Sequence, residues 1–278
     1  MIDLDQLRYV GDSDVVELRS NASPVSLERA KDLAERVHRR RAIPIRSTFV
    51  RADVLDVERT PLAQIVSTGG RGGGTTLKLY LALIWIYGDP SKPVENIPAR
   101  RWAELLDLED PPRLGKRRIN QALEKLERLR LVRIERRRGT SPVIYLLMES
   151  GLGMPYTQIP STARFKAATA DRTLHNYFKV PIDLWLEGHV QAMSAKALAM
   201  LLVLSEGSLG EEGREVWWSS TRFEERYGLS RATRSEGCRE LFARGLATIK
   251  RRPVVMGPSS FAPEHKRNVY ELIGAARP

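Results

Sequence analysis

The stretch LSRATRSEGCRELFARGLATIKRR, Leu229 to Arg252, decides how the rest of the chain is read. Ser230 stands where a helix needs an N-cap, because a serine hydroxyl accepts an orphan amide proton of the first turn. A period of 3.6 turns Gly237, Cys238 and Leu241 inward and leaves Ala232, Ser235, Glu236 and Arg239 outward, with Arg231 and Thr233 near the N-terminal end. Leu241 and Leu246 read as core anchors, and Gly245 between them suits a left-handed C-cap that sends the chain into a strand. Arg234 falls where an apolar residue is expected. A single basic amphipathic helix is usually a solvated face, so the stretch gains meaning only if its context recurs.

It does recur. Two breaks, STGGRGGGTT with its glycines at Gly69 to Gly74 and SGLGMPYTQIPST from Ser150 to Thr162, bracket two similar segments. The first runs TTLKLYLALIWIYGD, IPARRWAELLDL, then RLGKRRINQALEKLERLRLVRIERRRGTSPVIYLL; the second runs MSAKALAMLLVLSEGS, STRFEERYGLS, the opening stretch, then KRNVYELIG. Each gives an apolar helix, a short amphipathic helix, a turn, a longer basic helix and a strand pair with a charged tip. That order resembles the winged helix-turn-helix plan, and finding it twice makes a chance match to a loose pattern a poorer explanation.

In the first segment Ile119, Ala122, Leu123 and Leu126 face inward, which puts Arg117, Gln121, Glu124 and Arg128 outward, flanked by Arg118, Asn120 and Lys125. Between Arg113 and Arg138 there are eleven Lys or Arg against three Glu, an excess that favours phosphate contact. Glu124 precedes Arg128 by four residues and suits a helix salt bridge. Arg130 stands where the second segment has Gly245, so this turn is expected to do without the glycine cap.

The line LSRATRSEGCRELFARGLA resembles the recognition helix of bacterial winged-helix regulators, and the resemblance implies contacts to double-stranded DNA from Ser230, Arg231, Thr233 and Ser235; Arg239, on the outward face, is a further candidate contact. In the first segment Asn120 and Gln121 have the chemistry to read adenine, and Lys116, Arg117 and Arg118 that to reach phosphate or guanine. Arg136, Arg137 and Arg138 at one wing, and Lys250, Arg251 and Arg252 at the other, fit phosphates or a narrow minor groove.

Composition agrees. A formal charge of +11 and a pI near 10.0 concentrate polyanions at the surface, and nucleic acid is the first partner to test. One cysteine excludes an internal disulfide, and His38, His175, His189 and His265 lie too far apart for any familiar metal spacing. The start has no signal-like pattern and no segment has the apolar length of a membrane span, so a soluble cytoplasmic protein, associated with nucleoid or plasmid, is expected. AQIVSTGGRGGGTTLKLYLALI has the order of a phosphate-binding loop, with the glycines of that motif, but Thr75 stands where it needs lysine. No catalytic motif, cofactor or metal is expected. Ser26 to Arg41 reads as a helix capped by Ser26, followed by an irregular or extended stretch; IPIRSTFVRADVLD and the segment from Tyr177 each read as extended chain entering a domain. Trp217 and Trp218 suggest a strand with one ring in the core, while Tyr80, Trp85 and Tyr87 read as packing residues.

The expected fold is mainly α with small β wings (α+β): two winged helix-turn-helix domains in tandem behind a helical N-terminal extension. The boundaries are 1–70 for the N-terminal region, 71–150 for the first domain, 151–175 for a linker and 176–278 for the second domain. Two winged helices in one chain resemble the plasmid replication initiators, over roughly Thr75 to Ile273. The resemblance implies binding to repeated origin sites through successive major grooves, recruitment of host replication proteins and a homodimer. A winged-helix transcription regulator at an operator is the alternative, and a protein-interaction module with incidental charge is a third.

Overall fold

The computed structural model describes residues 21–37, 41–53, 58–67, 72–87, 92–157, 159, 176–253 and 266–278. Readings that fall on the first 20 residues, on Gly69 to Arg71, on most of the 151–175 join, on the second wing tip, or on His38, His175 and His265 lie outside the described residues. In chain order α1 (Pro24–Arg36), β1 (Ala42–Arg46) and α2 (Pro61–Ser67) precede a first unit of α3 (Gly72–Ile86), α4 (Ala99–Leu105), α5 (Lys116–Arg128), β2 (Val132–Glu135) and β3 (Val143–Leu146). After β4 (Tyr177–Pro181), α6 (Asp183–Leu186) and α7 (His189–Ala192) comes a second unit of α8 (Ala195–Ser208), α9 (Ser220–Tyr227), α10 (Arg231–Ala243), β5 (Ala247–Pro253) and β6 (Lys266–Leu272).

The two units are built alike. β2 and β3 pair antiparallel with Val132 opposite Leu146, and β5 and β6 do so with Ala247 opposite Leu272. A single extended residue adds to each hairpin between the first two helices of its unit: Val94 bridges Ile144, and Val216 bridges Tyr270. Each unit is therefore helix, bridging residue, helix, helix, hairpin. The architecture is helical with small antiparallel sheets.

α3 and α8 are apolar around almost their whole circumference, a pattern that belongs to a helix with no solvent face. They satisfy it by packing on each other as well as on their own units: a Cβ built on Gly74 would lie 3.7 Å from the Ala195 nitrogen. Trp85 and Trp185 meet beside them with ring centroids 5.8 Å apart. One hydrophobic cluster accordingly runs through both units. Gly237 lets α10 approach α8 closely, since a Cβ there would lie 2.6 Å from Met200 Cγ and collide with the Lys196 carbonyl.

The residues before α3 join both units. α1 is capped by Ser23, whose hydroxyl accepts from the Ser26 amide at 3.3 Å, with Pro24 at its first position. Ser26 is thus not the cap expected of it; its hydroxyl donates 2.7 Å to the Leu105 carbonyl and fixes α1 on α4. The two stretches read as separate extended entries pair with each other, Ile43 of β1 lying opposite Val180 of β4. The stretch read as irregular or extended contains a helix, α2, capped by the Thr60 hydroxyl at 3.0 Å from the Ala63 amide. That helix also replaces the strand a phosphate-binding loop requires before its glycines.

α2 bridges the units. Thr60 donates 3.2 Å to the Tyr227 carbonyl at the end of α9, and the Ala63 methyl lies 3.3 Å from a Cβ placed on Gly228. From the other side Lys125 of α5 donates 2.8 Å to the Ile65 carbonyl. Under this arrangement Arg46 and Glu149, both fully buried, form an ion pair at 2.6 Å, with the guanidinium also against the Tyr156 ring.

Candidate nucleic-acid interface

α5 follows a π-helical turn, Pro111–Gly115, and buries Ile119, Ala122, Leu123 and Leu126 as its period requires. Lys116, Arg117, Asn120, Gln121, Glu124 and Arg128 are exposed and Arg118 is half-buried. The helix thereby presents three flanks. Asn120 looks toward the hairpin, sharing a shallow depression with Arg136, Arg137 and Thr140, and Glu124 borders both this depression and the opposite side. Arg118, Gln121, Lys125 and Arg128 look the other way, toward the start of α3. Arg117 lies on the ridge between them. Among the described residues Lys116, Arg117 and Arg118 have no carboxylate at ion-pair distance. Glu124 and Arg128 do not form the expected i,i+4 bridge; the carboxylate used on this helix is Glu127, which takes Arg136 from the wing at 2.8 Å. That bond holds the Arg136 guanidinium above its ordinary pKa. Arg137 lies 3.9 Å from Glu135, and Arg138 is exposed.

The second unit is more self-neutralised. Ser230 caps α10, accepting from the Thr233 amide at 3.2 Å and meeting the Thr233 hydroxyl at 3.1 Å. Thr233 is buried with its hydroxyl committed to that cap, so its expected role as a DNA contact is corrected to one of closing the first turn. Arg234 is buried as well, its guanidinium 5.2 Å from the Phe223 ring centre, filling the slot where the helix period calls for an apolar side chain. Gly237, Cys238 and Leu241 are buried, and the exposed face carries Arg231, Ala232, Glu236 and Arg239, with Ser235 half-buried. Burial pushes the Cys238 thiol up to about 12, which suits a small core residue. Arg231 lies 3.7 Å from Glu224 of α9. On the hairpin Lys250 sits 2.7 Å from Glu271, and Arg252 lies 2.6 Å from Glu215, whose carboxyl is held below its usual range by that contact. Arg251 is exposed on the same strand. Trp218 packs against Phe223, Tyr227 and Tyr270, while Trp217 stays partly exposed under the Arg267 guanidinium.

Both units thus align a basic helix with a basic hairpin; among the described residues the first leaves Lys116, Arg117 and Arg118 of its helix open while its hairpin cations Arg133, Arg136 and Arg137 lie beside Glu127 or Glu135, and the second places a carboxylate beside Arg231 of its helix as well as Lys250 and Arg252 of its hairpin. The partner carboxylates Glu127, Glu215, Glu224 and Glu271 were not legible in the sequence, because each pairs across elements. Glu215 carried the nearest thing to a signal, standing one residue before the bridging Val216. Among the described residues no cluster of His, Cys, Asp or Glu could hold a metal ion, and no helix is long and apolar enough to cross a membrane. Comparison with protein-family models, curated proteins and solved structures finds no match to the chain.

Proposed function

We propose that the protein binds double-stranded DNA with sequence preference through two winged helices, α5 with the β2–β3 hairpin and α10 with the β5–β6 hairpin, and acts on repeated sites as plasmid-type replication initiators do. The observation that carries this reading is the repeated order of helix, bridging residue, helix, helix and hairpin, with the exposed cations gathered on the same two elements each time. In this reading Arg117 and Gln121 meet base edges or the phosphates beside them, Asn120 and the Arg136–Arg138 wing follow the adjacent backbone, and Arg231, Ser235 and Arg239 serve the second half-site. α10 contributes less to affinity, because each neighbouring carboxylate offsets the field its cation offers a phosphate.

Joining of the units by β1–β4 pairing, by α2 and by a shared core supports a reader of two sites at fixed spacing. A regulator at a single operator would use the same surfaces. Selection from random duplex DNA tests the proposal: two half-sites in direct repeat support the initiator, one palindrome supports the regulator, and failure to recover any motif rejects sequence-specific binding.

A further inference from the structure

A groove of about 820 Å³ runs between the first turn of α3 and the flank of α5 that carries Arg118, Gln121 and Arg128, so it adjoins the surface assigned to DNA and extends beyond it. Its walls bring together Gly72, Gly73 and Thr75 from α3, Arg118 and Arg128 from α5, and Arg59 from the chain before α2. α3 is a helix of 15 residues, and the amides of its first turn carry the positive end of its dipole. A second observation is independent of that helix end. Thr75 is only 7% exposed, faces the groove, and its hydroxyl has no hydrogen-bond partner among the described residues, unlike that of Thr76, which donates to the Gly72 carbonyl at 2.9 Å. A third is electrostatic: Arg59, Arg118 and Arg128 reach the groove with no ion-pair partner among the described residues, against the single carboxylate of Glu124.

The amides of a helix start, the hydroxyl of a nearly buried threonine and three guanidinium groups around one space form an environment suited to a compact, multiply charged oxyanion. Gly72 adds room, since a Cβ there would meet nothing within 4 Å. We infer that this groove is a phosphate-binding site, in which a phosphate ester accepts from the α3 amides and the Thr75 hydroxyl and pairs with Arg118 and Arg128. The ester is either a backbone phosphodiester of a bound duplex or a free phosphorylated compound. The site stands on its own geometry and does not require that the protein bind DNA.

The test uses the full chain and inorganic pyrophosphate, titrated calorimetrically against a chloride control of matched ionic strength. Binding is expected in the wild type, to fall about tenfold or more in Arg128→Ala and severalfold in Thr75→Val, and to persist in Thr75→Ser, which keeps the hydroxyl, and in Arg214→Ala, an exposed cation elsewhere. If Thr75→Val does not fold, the contrast between Arg128→Ala and Arg214→Ala decides. Pyrophosphate that displaces a bound duplex assigns the site to backbone phosphate; pyrophosphate that binds without affecting the duplex, or in a protein that binds none, assigns it to a free compound. No binding beyond the chloride control, or equal binding by wild type and Arg128→Ala, overturns the inference.

Discussion

Arg130 and Gly245 occupy the same turn in the two units, each in the left-handed region, with φ of 54° and 66°. The arginine therefore does what the sequence suggested it would not: it adopts the glycine conformation instead of forcing another turn. The turn is set by the geometry on either side of it, where Leu131 donates its amide back to Leu126 and Leu246 does so to Leu241, each at 3.0 Å. A left-handed side chain costs about 1–2 kcal/mol, offset in part by the extra freedom glycine has when unfolded. Arg130→Gly is expected to stabilise the protein by about 0.5–1 kcal/mol. Gly245→Ala, at a position where a Cβ meets nothing within 4 Å, is expected to cost about 1 kcal/mol from backbone strain alone. Denaturant unfolding of both variants checks the pair, and opposite signs are the expected result.

What could be read in advance followed from local pattern. The inward faces of α5 and α10 came from spacing of three and four, the Ser230 cap from one hydroxyl in the right place, and the hairpins from strand runs around a basic tip. What could not be read depended on partners distant in sequence. Nothing near Ile43 says that it will face Val180, and nothing near Thr60 says that it will meet the Tyr227 carbonyl. α2 was missed because seven residues are too few to establish a helical period against flanking proline and glycine. In the candidate interface, cations were visible one at a time, but the carboxylates that pair with them were not, and Thr233 looked available only because the cap it completes is a three-dimensional arrangement.

The buried pair Arg46 and Glu149 makes a stability prediction. Glu149→Leu leaves a fully buried guanidinium without its carboxylate and is expected to cost about 3–5 kcal/mol. The double variant Arg46→Met/Glu149→Leu removes both charges and should be more stable than Glu149→Leu. A double-mutant cycle by denaturant unfolding measures this, and a double variant no better than the single one would mean that Arg46 serves mainly through the Thr157 carbonyl and hydroxyl, to which its guanidinium also donates, and through the Tyr156 ring.

Lys78 gives a prediction in pH. Its ammonium is half-buried between the units, donates 2.7 Å to the Gln191 carbonyl, and is depressed to about 8 by desolvation. The unfolded chain, with an ordinary lysine near 10.5, holds more protons than the folded one between these values, so this group's contribution to stability rises with pH across that window. The slope approaches about 1.4 kcal/mol per pH unit. Cys238 and the buried tyrosines act in the opposite sense at the alkaline end, because their folded values are raised. The difference between wild type and Lys78→Met isolates the lysine: it should shift in favour of the wild type as pH rises from 8 toward 10, and a constant difference would refute the assignment.

Salt dependence of duplex binding tests the central claim most directly. Fluorescence anisotropy of a labelled duplex, the selected one or a random one at low salt, is followed over a range of chloride concentrations for wild type, Arg117→Ala and Arg231→Ala. The account predicts a steep loss of affinity with salt, a slope shallower by about 1 in Arg117→Ala, and a smaller change in Arg231→Ala, whose cation already faces Glu224. No duplex binding at low salt, or a slope indifferent to Arg117→Ala, would contradict it.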